Sequence, residues 1–310
     1  MTALLPLATR ELTTDTPWQD DFQQTVPRRL VHRAAVAEVL PTHWHRLSED
    51  TFAVGAMWPR QHSFYEPIAG HHDPMILAET IRQAGLLVAH VGYDIKLDAP
   101  FIMWELAHNV DLTGLIIEDA PAKITVEVIG RDVSRRGSSI VDITFDMRIF
   151  RGFEQIGTGL GKLSSVSKGV YARLRKGQVN TTQHCAVPGV EPIEPAVVGR
   201  YRPNDVVLGA TGEPDTWRLR VPSDHPVLFD HAVDHVPGML LLEAARQAVQ
   251  QLNGPGRVVP LAMSSEFHRF AELNEPTTIR AERLGQAVTR VVAEQAGKPV
   301  ATTLVTAKTI

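Results

Sequence analysis

Apolar positions recur along this chain at two spacings, and the order in which the spacings alternate predicts its elements. Ile124, Val126 and Val128 alternate with Lys123, Thr125 and Glu127, and Val141, Ile143, Phe145, Met147 and Ile149 alternate with Asp142, Thr144, Asp146 and Arg148. A period of two puts every second side chain on a buried face, the pattern of a half-buried strand. A turn from Ser134 to Gly137 joins these two strands, and Arg151 and Gly152 separate the second from a third over 153–162, which predicts an antiparallel meander. The theme returns at 258–270, 278–284, 288–295 and 300–308, punctuated by Asn274 to Pro276, Gly285, Gly297 and Lys298. Shorter strand patterns at 51–58 and 216–221 precede the two segments where the period changes to 3.6.

Those two segments are copies of each other. Residues 71–85 align without a gap on 235–249 at an offset of 164, with seven of fifteen positions identical: His71/His235, Met75/Met239, Leu77/Leu241, Glu79/Glu243, Arg82/Arg246, Gln83/Gln247 and Ala84/Ala248. Self-similarity at a fixed offset marks a duplicated unit. Both copies are rich in strong helix formers, Pro74 and Pro237 stand where a missing N–H costs nothing, and Asp73 suits an N-cap. Met75, Glu79, Arg82 and Gln83 share one side of the first helix, while Leu77, Ile81, Ala84 and Val88 share another.

One helix can cover a wide antiparallel sheet only if the sheet curls around it. The pattern therefore predicts an α+β protein built as a tandem hotdog: an N-terminal arm over 1–29, a first hotdog domain over 30–166, a linker over 167–200 carrying Pro188, Pro192 and Pro195, and a second hotdog domain over 201–310. Two such sheets can pair edge to edge, which removes exposed edges and leaves a homo-oligomer open as well.

Composition narrows the partners. With 44% hydrophobic residues in 310, the chain can bury two cores. Its 31 basic and 35 acidic residues leave a net charge of −4, and no basic run is longer than the scattered cluster of Arg173, Arg175 and Lys176, which argues against nucleic acid as a partner. That cluster reads as a docking group for an acidic partner or as part of a solvated linker. A lone cysteine, Cys185, makes neither an internal disulfide nor a multi-cysteine metal site and predicts a cytoplasmic setting. Pro6 interrupts a leader without a basic start, unlike a secretory signal. The apolar run 85–92 contains His90 and falls far short of the roughly 20 residues a membrane span needs. Gly157, Gly159 and Gly161 before Lys162 hint at a phosphate loop, but the spacing is one residue short and Leu163 holds the Ser/Thr place, so a closely packed strand is expected and no cofactor.

The shared helix face carries the candidate chemistry. A desolvated Glu79 or Glu243 would have the raised pKa of a general base. Arg82 or Arg246 offers a planar fork for a phosphate, Gln83 or Gln247 a neutral donor, and the N–H groups of Gly238 and Met239 at a helix N-terminus a place for developing negative charge. Glu and Arg at i, i+3 also form simple ion pairs on solvated helix faces. A helix wrapped by its own sheet has little such face, and burying both charges is costly. In the loops, His231 is a candidate for proton transfer, and His225 and His71 for substrate contact, beside His72 and His235. Asp-His pairs at 224–225, 230–231 and 234–235 match no metal-ligand spacing, and no metal is expected.

Pro237-Gly238, followed by Glu243, Ala244, Gln247 and Ala248, is similar to the start of the central helix in hotdog β-hydroxyacyl carrier-protein dehydratases. His231 lies closer to Gly238 than that pattern has it, which weighs against dehydration. The whole stretch from Asp224 to Gln247, together with Leu77 to Ala84, resembles the A-factor biosynthesis (AfsA) family more closely, and the resemblance runs from about Val31 to the C-terminus, including Val31, His32, Arg33 and Tyr171 to Arg175. It implies an acyltransferase moving a β-ketoacyl group from an acyl carrier protein thioester to the hydroxyl of dihydroxyacetone phosphate, giving an ester that cyclises to a butenolide on the way to a γ-butyrolactone or furan signal. A hotdog dehydratase or thioesterase, and a non-catalytic acyl- or butyrolactone-binding regulator, are the alternatives. Of the two copies, the Pro237-Gly238 entry favours the second as the active one.

Overall fold

A computed structural model of the chain describes residues 21–136, 139–175, 189–254 and 256–310; Cys185, Gly137, Lys176, Pro188 and residues 1–20, which entered the readings above, lie outside them. Two compact units emerge, Met1–Tyr171 and Ala172–Ile310. In the first, β1 (Pro41–Arg46), β2 (Thr51–Trp58), β3 (Phe101–Val110), β4 (Ala122–Arg136), β5 (Ser139–Arg151) and β6 (Glu154–Ser165) form an antiparallel sheet in the order β1-β2-β4-β5-β6-β3. Helix α1 (Met75–Tyr93) packs against all six strands. A short helix α2 (Lys168–Leu174) follows.

The second unit repeats this plan. Strands β7 (Leu208–Ala210), β8 (Thr216–Leu219), β9 (Val258–Phe267), β10 (Thr277–Arg283), β11 (Val288–Gln295) and β12 (Lys298–Thr309) run β7-β8-β10-β11-β12-β9, the same order once strands are counted within each unit. Helix α3 (Gly238–Leu252) lies against that sheet. A single helix held in a curled antiparallel sheet is the hotdog arrangement, present twice.

The alternation in the sequence matches the register. Val126 pairs with Ile149 across β4 and β5, Val54 with Val126 across β2 and β4, and all three side chains are buried against α1. Strands β1, β3 and β7 escaped the pattern for identifiable reasons. Their pairing is interrupted between Pro41 and His43 in β1 and between Met103 and Glu105 in β3, which breaks the period of two, and β7 has three residues. The glycine run belongs to β6, where a Cβ on Gly159 would stand 2.5 Å from Ile81 Cδ1; the bare backbone lets α1 seat on the sheet.

Ahead of each central helix the chain makes two short 3-10 turns, Arg28–Val31 and Val36–Glu38 in the first unit, Pro195–Val198 and Pro203–Asp205 in the second. They correspond at an offset of 167, and residues 195–198, expected within the 167–200 linker, pack against α3 in the second unit. No helix among the described residues is long and apolar enough to cross a membrane.

Candidate active site

The repeated Glu-x-x-Arg-Gln face is a buried clasp in both units. Glu79 accepts hydrogen bonds from Arg33 (2.7 and 3.1 Å), Arg82 (2.7 and 2.9 Å) and Gln83 (2.6 Å). Glu243 accepts from Arg200 (2.7 and 2.9 Å), Arg246 (2.8 and 3.0 Å) and Gln247 (2.6 Å). Each glutamine also ties down the backbone ahead of its helix. Gln83 Oε1 accepts from Leu40 N–H and its amide donates to Glu38 O, while Gln247 Oε1 accepts from Val207 N–H and its amide donates to Asp205 O. Arg82 and Arg246 add donations to the carbonyls of Val31 and Val198. The face thus laces the 3-10 turns to the helix.

This overturns the expectation of a raised carboxyl pKa. Burial pushes Glu79 and Glu243 upward, but Arg33 with Arg82, and Arg200 with Arg246, outweigh it together with the side-chain hydrogen bonds and hold both carboxyls at about 2. A buried carboxylate with that acidity, held by two guanidinium groups, is a poor general base near neutral pH. Arg246 is 3% exposed and donates to Glu243 and Val198 O, whereas Arg82 is 16% exposed.

Loop histidines fall into distinct environments. His225 is buried, with Nδ1 accepting from Val227 N–H (3.1 Å) and Leu228 N–H (3.0 Å) and Nε2 facing Asp205 at 3.1 Å, so both nitrogens are engaged and the expected substrate contact gives way to loop support. His62 does the same in the first unit, accepting from Phe64 and Tyr65 and facing Glu38. His71 is half-buried and donates to Ala69 O at 3.0 Å. His72 is buried beside Trp58, and burial, aided by Arg151, lowers its pKa to about 4. His231 is exposed, 3.5 Å from Asp230.

The helix entries differ between copies. At α1, Asp73 Oδ1 accepts from Met75 N–H at 2.9 Å, the capping anticipated for it, and the next three donors find Asp73 O and Pro74 O. At α3 no side chain caps the end, and the N–H groups of Gly238 and Met239 have no acceptor among the described residues. Gly238 is partly exposed, and a Cβ there would sit 3.2 Å from the Phe267 ring.

A sequence model of the A-factor biosynthesis hotdog domain (AfsA) matches residues 14–167 and 181–310. The chain belongs to that family. A 2-oxo-3-(phosphooxy)propyl 3-oxoalkanoate synthase of Streptomyces virginiae is 45% identical over 263 residues, 85% of this chain and 89% of the relative. A protein of the same name from Streptomyces coelicolor is 39% identical over 281 residues, 89% of each chain. Among solved structures, an acyl-ACP thioesterase from Bacteroides thetaiotaomicron has a TM-score of 0.50 at 14% identity, covering 83% of this chain and 98% of its own, a likeness of fold.

In this AfsA-family chain both matched segments contain one clasp, and in each the outer arginine comes from upstream of the sheet. Arg33 and Arg200 were not singled out from the sequence as site residues. Their signal is present as a Val-x-Arg repeat, Val31 to Arg33 and Val198 to Arg200, but its offset of 167 differs from the 164 of the helices, so a gapless search passes over it. Arg175 was placed on a solvated, basic linker and is instead 2% exposed, because Asp234 and Glu272 neutralise it and Phe270 covers its face.

Proposed function

We propose that this AfsA-family protein is a 2-oxo-3-(phosphooxy)propyl 3-oxoalkanoate synthase, and that its donor is a β-ketoacyl thioester of an acyl carrier protein. The product named for its relatives is the ester of a 3-oxo acid with the free hydroxyl of dihydroxyacetone phosphate. Making it from a thioester forms a C–O bond and releases a thiol. The methylene between the two carbonyls of that ester is acidic enough to attack the neighbouring ketone, and loss of water then gives a butenolide, a precursor of γ-butyrolactone or furan signals. The lone cysteine fits a cytoplasmic location.

The observation that carries this reading at the level of geometry is the open N-terminus of α3. Two adjacent, uncapped N–H groups at the positive end of a helix suit the oxyanion that forms when a thioester carbonyl is attacked. Such donors contribute roughly 3 kcal/mol each where they have been removed from acyl-transfer sites. Glu243, Arg246 and Gln247 hold α3 in place under this reading, as their counterparts Glu79, Arg82 and Gln83 hold α1.

Purified protein incubated with a β-ketoacyl carrier-protein thioester and dihydroxyacetone phosphate is expected to yield the phosphorylated ester or its butenolide by mass spectrometry. An intact thioester refutes the reading. Release of free 3-oxo acid at the same rate with and without acceptor assigns a thioesterase instead.

A further inference from the structure

With Glu243 held at about 2 by two arginines, acyl transfer lacks a base on the helix, and the loop entering α3 supplies one. Its three Asp-His pairs are treated differently. His225 has both ring nitrogens in use, and His231 is 46% exposed at 3.5 Å from its aspartate. His235 alone combines a fixed ring with a free nitrogen. Its Nδ1 lies 2.7 Å from Asp234 Oδ1, its ring meets the edge of Phe270 with centroids 4.9 Å apart, and its side chain is 29% exposed with no partner on Nε2 among the described residues.

The carboxylate behind it is anchored in turn. Arg175 donates to Asp234 Oδ2 at 3.2 Å and to Asp234 O at 2.7 Å, while its other edge spans both oxygens of Glu272 at 2.7 and 2.8 Å. The guanidinium lies 4.4 Å from the centre of the Phe270 ring, and Val236 N–H donates to Ala271 O at 2.8 Å, which ties the same two loops together. An ionised carboxylate only accepts, so Nδ1 carries the imidazole hydrogen and Nε2 keeps its lone pair, the tautomer a base needs. Two residues, Val236 and Pro237, separate His235 from Gly238, a Cα span of at most about 11 Å.

Building on the acyl-transfer reading, we propose that His235 is the general base and acid of this site, that Asp234 orients it, and that Arg175 is a positioning residue for Asp234. Nε2 takes the proton from the acceptor hydroxyl as its oxygen bonds to the thioester carbon, and the carbonyl electrons move onto the oxygen facing the N–H groups of Gly238 and Met239. When those electrons return, the C–S bond breaks and the leaving sulfur receives the proton from Nε2. Thioester and alcohol become ester and thiol, and the histidine ends as it began.

Full-length His235→Ala is expected to lose about a hundredfold or more in kcat with KM for dihydroxyacetone phosphate little changed, and added imidazole should restore part of the rate. His235→Gln, closer in size, should show the same loss. Asp234→Asn should lower kcat at unchanged KM, and Arg175→Lys should recover part of what Arg175→Ala loses. Wild-type ester formation with full kcat in both His235 variants overturns the proposed base and leaves the acyl-transfer reading standing. A wild-type protein that forms no ester overturns both.

Discussion

Glu243 and Glu79 are buried carboxylates, each hydrogen-bonded by two arginines and a glutamine. Removing one partner from such a group strands the others in a medium that solvates charge poorly, at a cost of roughly 3–5 kcal/mol. Glu243→Ala and Arg200→Ala are therefore expected to lower the denaturant midpoint by several kcal/mol equivalents in a urea titration. Were Glu243 the base, Glu243→Ala would instead cut kcat while leaving the unfolding transition in place. The residue types of the clasp were legible in the sequence, and so was their shared face. The outer arginines were not, because Arg33 and Arg200 reach the carboxylates across 46 and 43 residues of chain.

At the scale of elements, the two central helices differ most at their first turns. In α1 the Asp73 carboxylate occupies the position that an incoming anion would need, whereas α3 begins from Pro237 with its donors open. Asp73→Ala should cost about 1 kcal/mol of stability, as loss of an N-cap does, and leave ester formation at the wild-type rate. A lost rate in Asp73→Ala would move the anion site to α1. The asymmetry was visible as Asp73-Pro74 against Pro237-Gly238, since both dipeptides state their helix-starting chemistry locally. Strands were equally local where apolar and polar residues alternate over several positions in the sequence, as over 123–128 in β4 and 141–149 in β5, and invisible in β3, whose register shifts between Met103 and Glu105.

For the whole molecule, a clasp in each unit makes acid the condition that loosens both. Both carboxyls ionise at about 2 in the folded chain against an ordinary value of 4.5, so the unfolded chain binds protons first as pH falls. Their stabilisation is complete above about pH 4.5 and is lost as pH drops toward 2, by roughly 3 kcal/mol for each carboxylate. Buried His72, with its pKa lowered from 6.5 to about 4, acts in the same direction over that higher window. Thermal melts from pH 7 to pH 2.5 are expected to show a modest decline below about 6.5 and a steep one below 4.5. A midpoint unchanged down to pH 3 would contradict the clasps as stability elements.

By itself the sequence determined the duplication, the two central helices, the meanders and the family, because all of these are written in spacings a few residues long and in a motif repeated at a constant offset. Only the tertiary structure decided what the shared polar face does. Two arginines from distant segments turn Glu79 and Glu243 from bases into anchors, and the buried Arg175 turns a supposed linker residue into a support for Asp234. Protonation and accessibility depend on which charges meet in a low-dielectric interior, and those meetings are made by chain crossings that no local pattern encodes.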